Sequence, residues 1–378
     1  MADVAHEAAR ADPGAIDPEL YLRERYRTRG SRRRALNIYY ALKRWLPRRL
    51  QIAARRLYAR RTHVSFPAWP IETLLVEHEH ALLRTRLASR STARLPLVNY
   101  WPDGRRFAAI VTHDVESSAG IENIDAVLEV ERRHGIVSSW NFVAEWYPIP
   151  DGTFERVRDA RCEVGLHGIK HDGLLFRDRA GFERELPAIH RYLRDWDAVG
   201  FRSPATHRNP DWMGELGCLY DSSFPDTDPY EPEPGGCCSI FPYFLDSIVE
   251  LPITMVQDHT LWEILREPTI DLWRRKGDWL VANHGLINVI VHPDYLLAAE
   301  RLDLYSQLLA YLRERIDGDR GWHALPRDIA AWWKARAGMS VLEEEAMVRI
   351  ADSSPGEWSQ RATVTWAASR DGEITFDA

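Results

Sequence analysis

Cysteine is scarce in this sequence, with four residues among 378. None belongs to a C-x-x-C pair, and the adjacent Cys237 and Cys238 cannot easily bridge to each other. This usage excludes a disulfide-stapled scaffold and predicts reduced, structural thiols. It also disfavours a zinc site on the adjacent pair, because the chain has no second pair of that kind.

Long apolar runs are missing as well. No stretch reaches the roughly eighteen apolar residues that a membrane-spanning helix requires. The N-terminus, MADVAHEAARADPGAIDPEL, lacks the basic start and the apolar run of a secretory signal. We therefore expect a cytoplasmic protein.

Acidic residues are almost absent from residues 20–62, which hold fifteen Arg or Lys and one acidic residue, Glu24. The net charge of the whole chain is −7, so the remainder carries −21, which argues against nucleic-acid binding by the main body. From Leu36 to Arg61 apolar residues recur at helical spacing, and Pro47 divides them into two helices or kinks one helix. Such a basic amphipathic arm fits an anionic membrane surface; alternatively, it packs on the acidic body or on a partner subunit.

Beyond the arm, strand and helix patterns alternate. Apolar runs predict strands at FAAIV, VSSWNFV, CEVGLH, AVGF, IVELPIT and NVIVHP. Helical periodicity covers residues 72–90, 121–134, 153–160, 179–195, 269–280 and 298–316. This alternation predicts an α/β fold with a parallel sheet or barrel. At the end of the chain, ATVTWAAS, RDG and EITFDA are typical of a β-hairpin.

Titratable or cationic side chains follow four of the predicted strands. In chain order these are Asp114, Glu116, His167, His171, Arg202 and His292. In an α/β barrel the carboxyl ends of the strands surround a single pocket. We therefore expect these side chains to converge there.

Two histidines lie four apart in EVGLHGIKHD. Four residues make one helical turn, so the spacing predicts that His167 and His171 point the same way from such a turn. Two imidazoles with one carboxylate form a minimal open metal site, which leaves positions for water and substrate. Asp114 and Glu116 are two apart in extended chain, so they share a face and offer one base and one ligand.

A metal site of this kind suits the hydrolysis of an ester or an amide, because the bound ion polarises a carbonyl and lowers the pKa of its water. The reaction also needs a general base, a general acid for the leaving group and a cation that keeps the base ionised. Asp114, His292 and Arg202 are the candidates for these functions.

Five segments occur in an order that resembles a known family. They are THDVE with an aspartate after a strand, HGIKH, RSPAT, the segment LGCLYDSSFPDTDP and the final VHP. In this order they are similar to the motifs of the polysaccharide deacetylases, also called the NodB-homology domain or carbohydrate esterase family 4. The resemblance covers residues 97–335. It leaves 1–96 as a helical, Arg-rich N-terminal region and 336–378 as a helix with a β-hairpin tail.

The resemblance implies a distorted (β/α)7 barrel and the removal of acetyl groups from N- or O-acetylated sugars. It implies one divalent metal, most often zinc, held by two histidines and a carboxylate. By position, His167 and His171 correspond to the metal ligands, Asp114 to the catalytic base and Arg202 to its cation. His292 corresponds to the general acid.

The chain departs from the family pattern at three points. Val115 stands where the family has a second aspartate, so Glu116 is the candidate third ligand, with Asp114 as the alternative. Thr206 replaces a glycine that often ends the third motif. The absence of an export signal implies an intracellular substrate, such as a lipid- or nucleotide-linked sugar of capsule or exopolysaccharide synthesis. The basic arm would suit a lipid-linked substrate at the inner membrane face.

Two other functions compete with the deacetylase. Val115 favours an inactive relative that binds carbohydrate or acts as a scaffold. Some relatives hydrolyse amides of small cyclic ureides without metal, although the presence of both His167 and His171 argues against that branch. The oligomeric state is left open by the sequence.

Overall fold

The computed structural model of the protein describes residues 9–27, 56, 66–344 and 347–377. The strands, in chain order, are β1 (Arg94–Val98), β2 (Phe107–Val115), β3 (Ser139–Phe142), β4 (Glu163–Leu166), β5 (Gly200–Phe201), β6 (Tyr220–Asp221), β7 (Tyr243–Leu245), β8 (Ile248–Glu250), β9 (Leu286–Val291), β10 (Gly321–His323), β11 (Met339–Glu344), β12 (Met347–Asp352), β13 (Val364–Arg370) and β14 (Glu373–Asp377).

The α-helices of the described residues are α1 (Pro18–Leu22), α2 (Leu74–Ala88), α3 (Ser118–Glu122), α4 (Ile124–His134), α5 (Thr153–Asp159), α6 (Arg179–Asp195), α7 (Asp271–Ala282), α8 (Ala299–Gly318) and α9 (Pro326–Ala337). A π-helix spans His259–Leu265. Local chemistry fixes several of the helix ends. The carboxylate of Asp178 caps the start of α6, and Gly135, with φ of 63°, ends α4 in the left-handed conformation.

Nine strands form the main sheet. Seven of them, in the order β9-β2-β3-β4-β5-β6-β8, pair in parallel; β10 pairs in parallel with the start of β2, and β7 is an antiparallel edge strand. The chain beyond β8 returns to β9, where the Met255 amide donates to the Asn288 carbonyl at 3.1 Å. The predicted α/β class and barrel-like parallel sheet are confirmed.

The central strand β2 is buried on both faces, as expected for a strand between helices and a barrel interior. On one face, Val111 packs in the same cluster as Val127 of α4 and Leu308 of α8. On the other face, Ile110 packs with Tyr220 inside the sheet's curve. Because side chains alternate along a strand, Thr112 and Asp114 lie on the same inner face as Ile110.

A second sheet joins β1, just before the main sheet begins, to the C-terminal end of the described chain. The predicted C-terminal hairpin is present as β13 and β14, and β1 pairs with β13 in antiparallel register, Leu95 opposite Ala367. Helix α2 packs on this sheet through Leu83 and Leu87. The first predicted domain boundary, at residue 96, falls inside β1. A further hairpin, β11 with β12, was not predicted from the sequence.

The N-terminal residues 9–27 pack on the main domain. Arg208, which follows β5, donates to both carboxylate oxygens of Glu24, at 3.0 and 2.6 Å, and both side chains are buried. Apart from Arg56, the predicted helices between residues 36 and 61 lie outside the described residues. Within the described part of the chain, no helix has the length and apolar character of a membrane span. None of the four cysteines forms a disulfide.

Candidate metal and catalytic site

The structure brings all six predicted site residues to the carboxyl ends of four neighbouring strands. Asp114 lies at the end of β2 and Glu116 just after it. The two histidines follow β4, Arg202 follows β5 and His292 follows β9. These four strands are adjacent or one apart in the sheet, so their ends face one pocket.

The three predicted metal ligands form a compact group. One ligand atom from each of Glu116, His167 and His171 lies within 4.8 Å of the others. Among the described residues this is the only group of three His, Cys, Asp or Glu side chains with such spacing. The Glu116 Oε1 atom is 2.8 Å from His171 Nε2. An imidazole pair with one carboxylate is a donor set that suits zinc and similar divalent ions.

His167 provides the sharpest test of whether these residues fit a metal. Its Nδ1 atom is 3.0 Å from the Arg202 carbonyl oxygen, which can only accept, so Nδ1 carries the proton. The Nε2 atom therefore points a lone pair into the site, where it is buried and has no hydrogen-bond partner. Burial lowers the pKa of His167 to about 4, so the ring is neutral. These properties are those of a metal-ligating imidazole.

The loop that carries the histidines is not a helical turn, so the predicted helical spacing of His167 and His171 is wrong. Residues 167–173 form an irregular loop, and Gly168 adopts a left-handed φ of 69°. A Cβ on Gly168 would lie 2.8 Å from the ring of Pro204. The two histidines converge because this glycine turns the chain against the loop after β5, an approach that a larger residue would block.

The position of Val115 in the fold explains how the site can lack the second aspartate of the family pattern. Val115 is fully buried and packs in the same core cluster as Phe142, on the face of β2 away from the site. Its neighbours Asp114 and Glu116 point to the opposite face because side chains alternate along a strand. Asp294 fixes the segment beyond the strand, since its Oδ2 atom accepts from the Glu116 amide at 3.1 Å. Glu116 thus joins His167 and His171 as the carboxylate of the candidate ligand group.

Asp114 lies in a buried and strongly polar environment. Its Oδ1 atom accepts from Asn141 Nδ2 at 2.9 Å, and its Oδ2 atom is 3.6 Å from Arg202 Nη1 and 3.8 Å from His167 Nε2. Burial alone would raise the pKa of Asp114, but His167 and Arg202 lower it below the ordinary value. The carboxylate is therefore ionised at neutral pH, as a general base must be.

Arg202 is held in place by the barrel interior. It is buried, and its Nη2 atom donates to Thr112 Oγ1 at 3.1 Å and to Ser222 Oγ at 2.9 Å. These hydroxyls belong to β2 and to the segment after β6, so the guanidinium cannot turn away from Asp114. The sequence prediction of a cation beside the aspartate agrees with this position.

His292 is paired with a carboxylate that the sequence did not indicate. Asp258 accepts from the backbone amide of His292 through Oδ2 at 2.7 Å, and its Oδ1 atom is 2.7 Å from His292 Nδ1. Burial alone would lower the pKa of His292, but Asp258 and, more weakly, Glu116 raise it to about 10. The Nε2 atom of this protonated ring is 3.6 Å from Glu116 Oε1. His292 therefore presents a proton to the site.

Sequence reasoning missed both Asn141 and Asp258. Asn141 is a polar residue in the middle of the buried strand SWNF, and that mismatch was a usable signal. Asp258 follows irregular chain beyond β8 and lies 34 positions before His292. Nothing in its local sequence distinguishes it from a surface aspartate.

Comparisons with known proteins give matches among solved structures alone. No family model matches the chain, and no curated protein matches it. The chain is similar to a structure described as a candidate polysaccharide deacetylase from Mycobacterium smegmatis, with 19% identity, a TM-score of 0.49 and coverage of 67% of this chain and 97% of the other.

Two further similar structures have lower scores. One is the PuuE allantoinase, with 15% identity, a TM-score of 0.46 and coverage of 66% and 95%. The other is a carbohydrate esterase family 4 pseudoenzyme from Bacillus anthracis, with 14% identity, a TM-score of 0.36 and coverage of 60% and 66%. These structures include members of the family that the five sequence segments resemble, and the likeness is one of fold.

Proposed function

We propose that this protein is a metal-dependent deacetylase that hydrolyses an acetyl amide or acetyl ester on a saccharide. The single observation that carries the proposal is His167 Nε2, a buried nitrogen with no hydrogen-bond partner that groups with ligand atoms of Glu116 and His171 within 4.8 Å. A neutral buried imidazole with this orientation is costly unless it binds something. A divalent metal is the ligand that its neighbours suit.

The metal, with zinc as the first candidate, would be held by Glu116, His167 and His171. When bound, it would polarise the acetyl carbonyl and make a nearby water more acidic. His171 is held beside Glu116, and His167 is held by the Arg202 carbonyl. The chain therefore presents its ligands already oriented, which reduces the cost of binding.

Asp114 and His292 divide the proton transfers. Asp114 is ionised beside Arg202 and accepts a proton from the water while the oxygen of that water attacks the acetyl carbon. His292 donates its Nε2 proton to the nitrogen or oxygen of the sugar as the bond to the acetyl carbon breaks. The products are acetate and a free amine or hydroxyl. Before the next turnover Asp114 releases its proton to solvent and His292 takes one up from solvent.

The inactive, carbohydrate-binding alternative depends on the valine at position 115. Glu116 supplies a carboxylate at the site in place of the missing aspartate, and Asp114, Arg202 and His292 stand around it. A scaffold protein would not require a base held ionised opposite an acid held protonated. This pair of opposed side chains therefore favours turnover over simple binding.

The substrate and the location are further parts of the proposal. We place the protein in the cytoplasm, acting on a lipid- or nucleotide-linked sugar of capsule or exopolysaccharide synthesis. The fifteen basic residues between positions 20 and 62 would hold it to the inner membrane face if the substrate is lipid-linked.

The experiment that tests the function combines metal analysis with acetate release. Metal content of purified, tag-free protein is measured by mass spectrometry for wild type, His167→Ala and Glu116→Ala, and acetate release is followed on acetylated saccharides. His190→Ala is the matched control, because His190 is an exposed histidine on α6. We expect one metal equivalent in wild type and in the control, and loss of metal and activity in both site variants. Metal retained in both site variants would contradict the proposal.

A further inference from the structure

A buried ion pair joins the N-terminal segment to the loop that follows β5. Glu24 lies two residues after α1, and its side chain is buried. Its carboxylate accepts from Arg208, through Nε at 3.0 Å and Nη2 at 2.6 Å, and from Arg27 Nη1 at 2.6 Å. Either Glu24 or Arg208 alone would be a buried, unpaired charge, so the pair forms or is lost as a unit.

Arg208 transmits this contact to a strained turn in the same loop. Its Nη1 atom donates to the Thr206 carbonyl at 2.9 Å. Thr206 and its neighbour Ala205 have φ of 50° and 52°, left-handed values that glycine adopts freely and a β-branched residue rarely does. Such a conformation persists only where surrounding contacts impose it. The guanidinium of Arg208, fixed by Glu24, therefore helps to hold this turn.

The turn also supports the metal side of the candidate site. Arg202, at the start of the loop, accepts at its carbonyl from His167 Nδ1 at 3.0 Å. The ring of Pro204 packs against Gly168, where an added Cβ would lie 2.8 Å from it. These two contacts set the orientation of His167 and the course of the chain between the two candidate histidine ligands. A shift of the turn would therefore disturb the ligand group.

We propose, on the basis of the deacetylase function above, that Glu24 is a positioning residue for the metal side of the site. By fixing Arg208, it holds the strained turn at Thr206 and, through that turn, the orientation in which His167 meets the metal. The catalytic unit therefore extends beyond residues 97–335 to the N-terminal segment.

Zinc affinity of the full chain is the first test. Glu24→Gln keeps the size of the side chain and removes its charge, and we expect it to raise the Kd for zinc about tenfold, the lower end of the effect of residues that support metal ligands. Arg10→Met is the matched control, because Arg10 joins the same N-terminal segment to Glu72, just before α2. It should leave this Kd unchanged. Equal Kd values in wild type and Glu24→Gln, or equal losses in both variants, overturn the inference.

A change at the turn separates positioning from general stability. Thr206→Gly removes the strain of a left-handed threonine, so Glu24→Gln should raise the Kd less in the Thr206→Gly background than in wild type. The same rise in both backgrounds overturns the inference. If Glu24→Gln does not fold, Arg208→Lys takes its place, because lysine keeps the charge but lacks the fork that reaches both Glu24 and the Thr206 carbonyl.

Hydrogen exchange of the metal-free protein gives a readout that needs neither metal nor turnover. Glu24→Gln should speed exchange in peptides 203–208 and 167–173, whereas Arg10→Met should not. Faster exchange confined to residues 9–27 overturns the inference while the deacetylase function stands. If wild type binds no zinc, the proposed function fails instead. Exchange in 167–173 then decides the inference: a faster rate in Glu24→Gln supports it, and an unchanged rate overturns it.

Discussion

His167 and His292 stand on opposite sides of one site and have opposite protonation. The pKa of His167 is lowered to about 4 because the ring is buried, and the backbone carbonyl behind its Nδ1 atom raises this pKa only weakly. Burial would also lower the pKa of His292, but the carboxylate of Asp258 behind its Nδ1 atom raises it to about 10. The group behind the ring therefore decides which histidine offers a lone pair and which offers a proton.

The largest difference is expected when each ring is removed. His167→Ala should lose the metal, whereas His292→Ala should keep one equivalent and lose about 10²–10⁴-fold in kcat, the usual contribution of a general acid. Acetate release and metal content measured on the same samples separate the two effects. Loss of metal in His292→Ala would contradict the division into a metal side and an acid side.

Asp258→Asn should make the environment of His292 resemble that of His167. The raised pKa keeps His292 protonated through neutral pH, and its acid function is lost as pH rises toward 10. Without the negative charge, the pKa falls toward the ordinary value near 6.5, so the alkaline limb of kcat/KM moves to lower pH. Activity well above the pKa should then fall by about tenfold for each pH unit of the shift. An unchanged alkaline limb would show that Asp258 does not control His292.

Gly168→Ala should disturb the metal side and leave the acid side intact. The left-handed backbone and the close approach to Pro204 together predict a loss of about 1–3 kcal/mol in the free energy of unfolding. We also expect weaker zinc binding, because His167 and His171 flank this turn. Urea unfolding and zinc titration measure both effects, and the alkaline limb of the pH profile serves as the internal control. Gly135→Ala, at a left-handed position with open space around its Cβ, isolates the backbone cost.

Asn141→Ala should give the smallest effect. Its amide donates to Asp114 and helps to hold the pKa of that carboxyl below its ordinary value. Loss of this hydrogen bond, the weakest of the interactions that lower the pKa of Asp114, raises that pKa. The base then becomes protonated at a higher pH, so the acid limb of kcat/KM moves upward. A pH–rate profile in which only the alkaline limb moves would contradict this assignment.

Much of the fold was predictable because its signals are local. Apolar runs predicted the strands β2 and β9, and such runs depend on neighbouring residues alone. The same holds for the periodicity of α6, which was predicted at 179–195 and is found at Arg179–Asp195. The pairing of β1 with β13 joins segments about 270 positions apart, and no local pattern encodes such a contact. The short strand β10 also escaped prediction, since three residues give no measurable periodicity.

The candidate site divides in the same way. Ordered motifs after strands identified all six residues that the structure brings together, because strand ends and motif spacing are visible in sequence. The convergence of His167 and His171 was predicted for the wrong reason, since a left-handed glycine, not a helical turn, brings them together. Asp258 was missed because its only distinction is its distance to His292 in the folded chain.

A crystal structure of zinc-loaded protein, with anomalous diffraction at the zinc edge, tests directly whether Glu116, His167 and His171 hold the metal. We predict one ion at about 2.0–2.2 Å from His167 Nε2, His171 Nε2 and a Glu116 oxygen, with Asp114 outside the coordination sphere and His292 still bound to Asp258. An anomalous peak elsewhere, or a His167 Nε2 atom without metal at saturating zinc, would contradict it.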